Sequence, residues 1–338
     1  MRFRAVLISL LGAVVAQAAV AAEVPQDRWE TYKRRFVTTE GRVIDSGNQN
    51  ISHSEGQGYG MLLATHFRDR DTFDRLWRWT TQHLQVRNDR LFAWKWVPAG
   101  GAVDTNDAAD ADLIIAWALL RAAKQWAVPD WLDASRAIRA DFLQKMTRTV
   151  GGQLVILPGE HGFESPAGTV VNLSYWVFPA LRACGADDGR PEWQQLRASG
   201  QALLRQARFG RWTLPPDWLQ LTDPVAPAAG FAPRFSYDAV RIPLYLLWDG
   251  KAPEDLIRPF KTYWAYFRQA PFLPAWTNLT DNGVDSYDAS PGIRAVAEQV
   301  MAYPNHPTAS PAFAPDQDYY STTLQFLCQM MQAEPSPS

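Results

Sequence analysis

The chain has 338 residues, with 33 Lys and Arg against 35 Asp and Glu and a net charge of −2. No basic stripe runs along it, which excludes the electrostatic footprint of a nucleic-acid binder. Its 15 tryptophans exceed what a core of this size needs, and the surplus suits a ligand with flat C–H faces that rest on indole rings.

In chain order, the first feature is a targeting segment. Arg2 and Arg4 precede an apolar run at 5–15, and small residues follow up to Ala21 and Ala22. That order predicts a signal peptide over residues 1–21, ending in Ala19-Val20-Ala21, and delivery to the periplasm or the exterior. The run is shorter than the about 20 residues of a membrane span, so no membrane association is expected after cleavage; an uncleaved anchor is the alternative. Residues 22–338 contain no linker or repeat, and the Pro-rich stretches 214–233 and 304–315 are short enough to be loops. One domain is expected.

Helical spacing then dominates. Trp29, Tyr32 and Phe36 share a face, as do Phe73, Leu76, Trp77, Thr80 and Leu84, then Leu113, Trp117 and Leu120, then Ile138, Phe142 and Met146. Further helices are expected near 172–184, 191–209, 237–248, 253–268, 291–303 and 317–330, about eleven in all. Only 152–157 reads as a strand, half of a small β-hairpin. An all-α chain of this kind buries its stripes helix on helix, in a solenoid or a closed ring of hairpins; the lack of a fixed repeat argues against a regular solenoid. Cys184 and Cys328 lie in apolar helical stretches, and their pairing is left open.

Three helix starts carry the chemistry. The first is His53-Ser54-Glu55-Gly56-Gln57-Gly58-Tyr59-Gly60-Met61. Ser52 or Ser54 is the expected cap. Its alternate glycines, each costing about 1 kcal/mol in a helix, suggest that something large lies against the backbone beside Glu55. The second is Asn106-Asp107-Ala108-Ala109-Asp110-Ala111-Asp112. Helix geometry sends Asp110 and Asp112 to different sides, so one of them faces a site. The third is Phe235-Ser236-Tyr237-Asp238-Ala239-Val240-Arg241, in which Arg241 can reach Asp238 and hold it ionised. Each acid would also serve as an ordinary complement to a helix dipole. If the three converge at one end of a ring, they form what glycosidic cleavage needs: an acid for the leaving oxygen and a carboxylate for water on the opposite face of the sugar.

These residues carry a resemblance. The segments 54–61, 108–126 and 236–243 resemble three signature regions of glycoside hydrolase family 8, and within it the periplasmic cellulases found with bacterial cellulose synthases. The resemblance runs over nearly all of the mature chain, and Glu55-Gly-Gln-Gly-Tyr-Gly-Met61 is its most specific string. It implies an (α/α)6 barrel and inverting cleavage of β-1,4-glucan, with xylan, chitosan or mixed-linkage glucan as substrates in other branches. It implies Glu55 as general acid and Asp238 as general base. It implies Asp110 as the residue gripping and distorting the reacting sugar, Tyr175 as lying near that sugar, and Tyr237 and Arg241 as flanking the base. Leu173 stands where Pro is usual and Ala109 where Ser or Thr is usual; neither change removes an acid. Trp94 and Trp96, read as lying in a loop, are the candidate sugar platforms, and only one of them is expected to be buried.

Glu55 is expected to hold its proton in a partly desolvated, apolar cleft. No cofactor or metal is called for. The partners expected are a β-glucan chain and, loosely, a cellulose synthase complex; the protein is expected to be a monomer that trims nascent cellulose. Two other classes fit parts of the pattern. A non-catalytic glucan-binding protein would keep the barrel and tryptophans, and a Mg²⁺-dependent prenyl diphosphate enzyme would use an Asp-rich helix start.

Overall fold

The computed structural model describes residues 26–250, 252–305 and 317–334. The expected signal peptide at 1–21 lies outside the described residues.

Eleven helices are described. They are α1 (Gln26–Phe36), α2 (Ser54–His66), α3 (Arg70–His83), α4 (Ala109–Trp126), α5 (Pro129–Lys145) and α6 (Phe178–Asp188). Then come α7 (Pro191–Gln206), α8 (Arg241–Trp248), α9 (Glu254–Tyr266), α10 (Pro291–Ala302) and α11 (Tyr319–Ala333). Their starts follow local chemistry. Pro129, Pro191 and Pro291 occupy first helical positions, where the missing N–H costs nothing. Asp69, Ser290 and Asp318 cap α3, α10 and α11 with their side chains.

The helices sort into two rings by how much of their surface is apolar. In α2, every residue from Gly56 to Thr65 is buried, and in α4 every residue from Ala109 to Leu120. A helix buried on all sides belongs inside. With α6, α8, α10 and α11 they form the inner ring of an (α/α)6 barrel, and α1, α3, α5, α7 and α9 pack outside it. Outer helices show one buried stripe, as in α1, where Trp29, Tyr32 and Phe36 face inward. The buried apolar side chains form one continuous core from Trp29 to Met331. All inner helices begin at the same end of the barrel: Tyr319 at the start of α11 lies against His53 before α2, and Gly292 of α10 bonds Ser321 of α11. That end therefore collects helix N-termini.

Strands are more numerous than the sequence reading allowed. The expected hairpin is present as β4 (Thr147–Val150) and β5 (Gln153–Ile156), counted after β1 (Ser52–His53), β2 (Ala93–Val97) and β3 (Gly101–Asp107). β1, β2 and β3 form a three-stranded sheet, so Trp94 and Trp96 lie on a strand rather than in a loop. A four-stranded sheet joins β6 (Glu164–Ser165), β7 (Gly168–Val171), β8 (Leu219–Leu221) and β9 (Ala226–Pro227); β10 (Arg234–Phe235) pairs with β11 (Thr277–Asn278). The strands after β5 run only two to four residues, and β7 and β8 bury only one or two side chains each, too few for a period-two pattern to stand out. Two expected helices also start late. A 3-10 turn at Leu173–Tyr175 precedes α6, and residues 237–240 form a turn before α8.

Cys184 and Cys328 are buried and unbonded; burial pushes the Cys184 thiol up to about 12. No described helix is long and apolar enough to cross a membrane.

Candidate active site

The start of α2 is fixed before it presents Glu55. Neither serine caps it. His53 does, accepting the Gly56 N–H on Nδ1 at 3.0 Å. The other ring nitrogen, Nε2, lies 3.3 Å from Asp45 Oδ2, which fixes the orientation of the ring. The glycines have a different purpose from the one expected. A Cβ on Gly58 would lie 2.8 Å from Ile114 Cγ2, and one on Gly60 would lie 3.0 Å from Val43 Cγ2. What lies against this backbone is the protein itself, chiefly α4. Gln57, fully buried, bonds the Val43 N–H at 2.6 Å, the Gly41 carbonyl at 3.1 Å and the Thr80 hydroxyl at 2.9 Å, locking α2 to its neighbours.

At the start of α4 the two acids diverge as helix geometry requires. Asp112 accepts the Phe92 N–H at 2.9 Å, and Asp107 accepts the Glu160 N–H at 2.9 Å; both tie adjoining loops to the helix. Asp110 turns to the barrel's end, where its Oδ2 lies 3.6 Å from Arg241 Nη1. Burial pushes its carboxyl up to about 7. Asp107 and Asp112 meet side chain to side chain while Asp110 stands apart, and among the described residues no group of three or more His, Cys, Asp and Glu is placed to hold a metal.

Arg241 joins the elements. Its Nη1 meets Glu55 in an ion pair and lies 3.3 Å from the Tyr59 hydroxyl; its Nη2 donates to Asp238 at 2.8 Å and to the Ser174 hydroxyl at 3.0 Å. Glu55, Asp110 and Asp238, from three distant parts of the chain, thus meet around one guanidinium. Their exposure differs. The side chains of Glu55 and Asp238 are 21% and 33% exposed, against 4% for Asp110. The two open carboxyls lie on different arms of the guanidinium, Glu55 on Nη1 and Asp238 on Nη2, and the closed Asp110 shares the Nη1 side.

The electrostatics correct two expectations. Glu55 was expected in an apolar pocket, yet its carboxyl faces Arg241, the Tyr59 hydroxyl at 3.2 Å and His53 Nδ1 at 3.9 Å. Arg241 was assigned to Asp238 alone because those two are near in sequence; the fold makes it common to all three acids. For Asp238, burial and the nearby Asp217 and Asp110 push the carboxyl well above the usual range, against the Asn172 hydrogen bond. The physical cause is simple. One guanidinium faces three carboxyls, so each further negative charge beside it is disfavoured, in line with the upward direction for Asp110 and Asp238.

Tyr175 stands beside these acids; burial and the charges of Asp110 and Asp238 push its hydroxyl well up. Tyr237 is 43% exposed, with its hydroxyl 2.9 Å from that of Tyr287 and its ring edge-on to Tyr320. Of the two tryptophans, Trp96 is a packing residue, its ring covered by Arg42 at 4.9 Å and set against Trp79 at 5.4 Å. Trp94 donates to Asp104 at 2.7 Å and has Lys95 over its ring at 5.5 Å; against expectation neither tryptophan is buried, both being half-buried. β1 pairs His53 with Lys95, so the strand bearing Trp94 is bonded to the residues leading into Glu55.

Several site residues were missed by sequence reasoning. Tyr59 follows Glu55 by one helical turn, a spacing that could have flagged it. Tyr245, bonded to Tyr59 through their hydroxyls, gave no signal. Trp218 is stacked between Phe163 (5.7 Å) and Phe231 (4.5 Å), edge-on to Tyr175 at 6.3 Å. It lies with Asp217 in the Pro-rich stretch read only as loop.

The comparisons with known proteins agree with this geometry. A family profile described as glycosyl hydrolases family 8 matches residues 1–334. A probable endoglucanase of Novacetimonas hansenii is 38% identical over 330 residues, 96% of each chain. An endoglucanase of Cellulomonas uda is 41% identical over 285 residues, 82% of this chain and 78% of that one. Among solved structures, an endo-β-1,4-glucanase from Acetobacter xylinum superposes with a TM-score of 0.85 at 38% identity, covering 91% of this chain and 97% of that one. Three carboxyls around one buried arginine, at the N-terminal end of an (α/α)6 barrel, therefore belong to a glycoside hydrolase, and the chain is a member of glycosyl hydrolase family 8.

Proposed function

We propose that the protein is an endo-β-1,4-glucanase that cuts cellulose with inversion, with Glu55 as general acid and Asp238 as general base. The observation that carries this reading is the pair of open carboxyls on two arms of Arg241, with buried Asp110 on the Nη1 side. The relatives named as endoglucanases support the substrate class.

In this mechanism the scissile oxygen rests against Glu55, which gives it a proton. Asp238 takes a proton from the water that attacks the anomeric carbon from the other side. Asp110, held closed at the bottom of the site, grips the reacting sugar, and Tyr175 and Tyr237 border it. Arg241 keeps the carboxyls in register, and after product leaves, Glu55 regains a proton from solvent and Asp238 returns one to it. Trp94 carries a sugar further along the chain through its ring face.

Glu55→Gln and Asp238→Asn should each lower kcat on carboxymethyl cellulose by about 10²–10⁴-fold, the usual worth of a positioned acid or base. NMR of fresh product should show the α-anomer first. Activity within tenfold of wild type in either variant, or a β-anomer, would sink the assignment. The choice among glucan, xylan and chitosan is read from product profiles on their oligosaccharides. Export through the predicted signal peptide and trimming of nascent cellulose complete the proposal. Fractionation of the native host, and the cellulose made by a deletion strain, test those two points.

A further inference from the structure

Asp217 lies outside the three acids but touches the segment that carries the base. It is 8% exposed. Its Oδ1 accepts the Ser236 N–H at 3.0 Å and the Ala239 N–H at 2.8 Å, and its Oδ2 takes the Ser236 hydroxyl. Its own N–H donates to the Arg234 carbonyl at 2.7 Å. Main chain and side chain therefore both bind the strand and turn that end in Asp238. Helix α8 has no side-chain cap of its own. Asp217 does that work from a distant loop, gathering turn amides that would otherwise be buried without partners.

We propose that Asp217 is a positioning residue for the reaction: its carboxylate clasps the 236–239 turn, aims Asp238 at the water, and by its charge makes Asp238 a stronger base. The proposal rests on reading Asp238 as the base. Burial raises the Asp217 carboxyl, and the donors from Ser236, Ala239 and Asp238 pull it back towards the charged form. Beside Asp238 it disfavours a second negative charge, and so raises the affinity of Asp238 for the proton it must take. Arg241 pulls the other way across the same carboxyl at 2.8 Å. The other ionisable groups that face Asp238 are Asp110 from α4, Tyr175 from the turn before α6, Tyr245 from α8 and Tyr320 from α11. Tyr320 also touches the turn, its hydroxyl donating to the Tyr237 carbonyl, but Asp217 is the group that takes the turn's amides.

The test is the pH profile of kcat/KM, whose acidic limb reports the base of the free enzyme. Asp217→Asn keeps the volume and one acceptor oxygen but loses the charge. Its acidic limb should move to lower pH, with kcat on the plateau down several-fold and KM little changed. Asp217→Ala should lower kcat by about 10²-fold, the cost of a misplaced reacting group. Asp217→Glu should return the limb towards wild type. A role confined to stability would lower the melting temperature and leave the limb where it was, and that result would overturn the proposal. If Asp217→Ala does not fold, the Asn profile decides alone. Asp238→Asn separates the two readings. If it stays active, the base assignment falls and takes Asp217 with it; if it is dead while the Asp217→Asn limb stays put, Asp217 alone falls.

Discussion

The two reactive carboxyls are held by different physics. Glu55 is the second residue of a 13-residue helix whose glycines let it press against α4. Its position is set largely by contact of the α2 backbone with buried side chains, Ile114 and Ile115 of α4 and Val43 among them, with the Gln57 hydrogen bonds beside them. Asp238 sits in a turn before an eight-residue helix, and that turn is held by hydrogen bonds from a side chain in another loop. The acid is mounted on packing and the base on polar contacts. Packing faults spread through a rigid interior, because cores at crystal density cannot absorb extra volume. Polar faults stay local and show in the chemistry first.

The strongest way to break this contrast is Gly58→Val. A Cβ there already lies 2.8 Å from Ile114 Cγ2 and 3.3 Å from Ile115 Cγ1, before the two further methyl groups are counted. Overpacking of this kind costs about 1–3 kcal/mol, and the displaced helix carries Glu55 with it. Stability in urea and kcat should fall together. If the variant melts like wild type and only kcat falls, the acid is not mounted on packing.

The same contrast explains what was legible in the sequence. The Glu55 motif could be read because its constraints are local: glycines, an acid and a helical period within a few residues. Helical spacing left a solenoid or a closed ring of hairpins open, and the resemblance to family 8 is what pointed to an (α/α)6 barrel. The purpose of the glycines was not legible, since Ile114 becomes their neighbour only in the fold. His53 as cap was missed because Ser52 and Ser54 are the better cap formers by type. Asp217 was invisible because its partners lie far along the chain and its own surroundings are proline and loop. Arg241 was read as the partner of Asp238 because sequence proximity suggests one partner, where the fold supplies three.

A second test concerns proton balance on the helix-mounted side. Asp110, like Glu55, is the second residue of a buried inner helix, and burial raises its carboxyl to about 7. Its unfolded value is about 3.9. Between those two values the folded protein binds more protons than the unfolded chain, so stability falls as pH rises through the window. The stabilising share is fully present below about 3.9 and lost above about 7. Asp69, the cap of α3, has the opposite sign: hydrogen bonds from Lys33, Trp29 and Thr72 outweigh burial and lower it to about 2. Its stabilising share is present above about 3.9 and lost as pH falls through about 2. Asp110→Asn should therefore gain on wild type in melting temperature between pH 4 and 8, while Asp69→Asn should lose most of its ground between pH 2 and 4. Parallel curves for Asp110→Asn and wild type would show that Asp110 is not held in its protonated form.

The smallest effect sharpens the comparison most, because Tyr59 belongs to both regions. It rises from the packed α2 helix, yet its hydroxyl reaches Glu55 Oε1 at 3.2 Å, Arg241 Nη1 at 3.3 Å and the Tyr245 hydroxyl. Tyr59→Phe removes one oxygen and keeps the ring. Packing is preserved, so the change in stability should be about 1 kcal/mol, the net worth of a buried hydrogen bond plus the partner left behind. The polar contribution is lost, so Glu55 and Arg241 are free to drift and kcat should fall about tenfold with KM almost unchanged. Tyr245→Phe should cost a similar stability but less activity, since its hydroxyl bonds Tyr59 rather than Glu55. If the two variants are equally impaired in kcat, the hydroxyl pair acts as one unit and Glu55 depends on polar contacts as much as Asp238 does. If Tyr59→Phe keeps full activity, α2 packing alone suffices to place the acid.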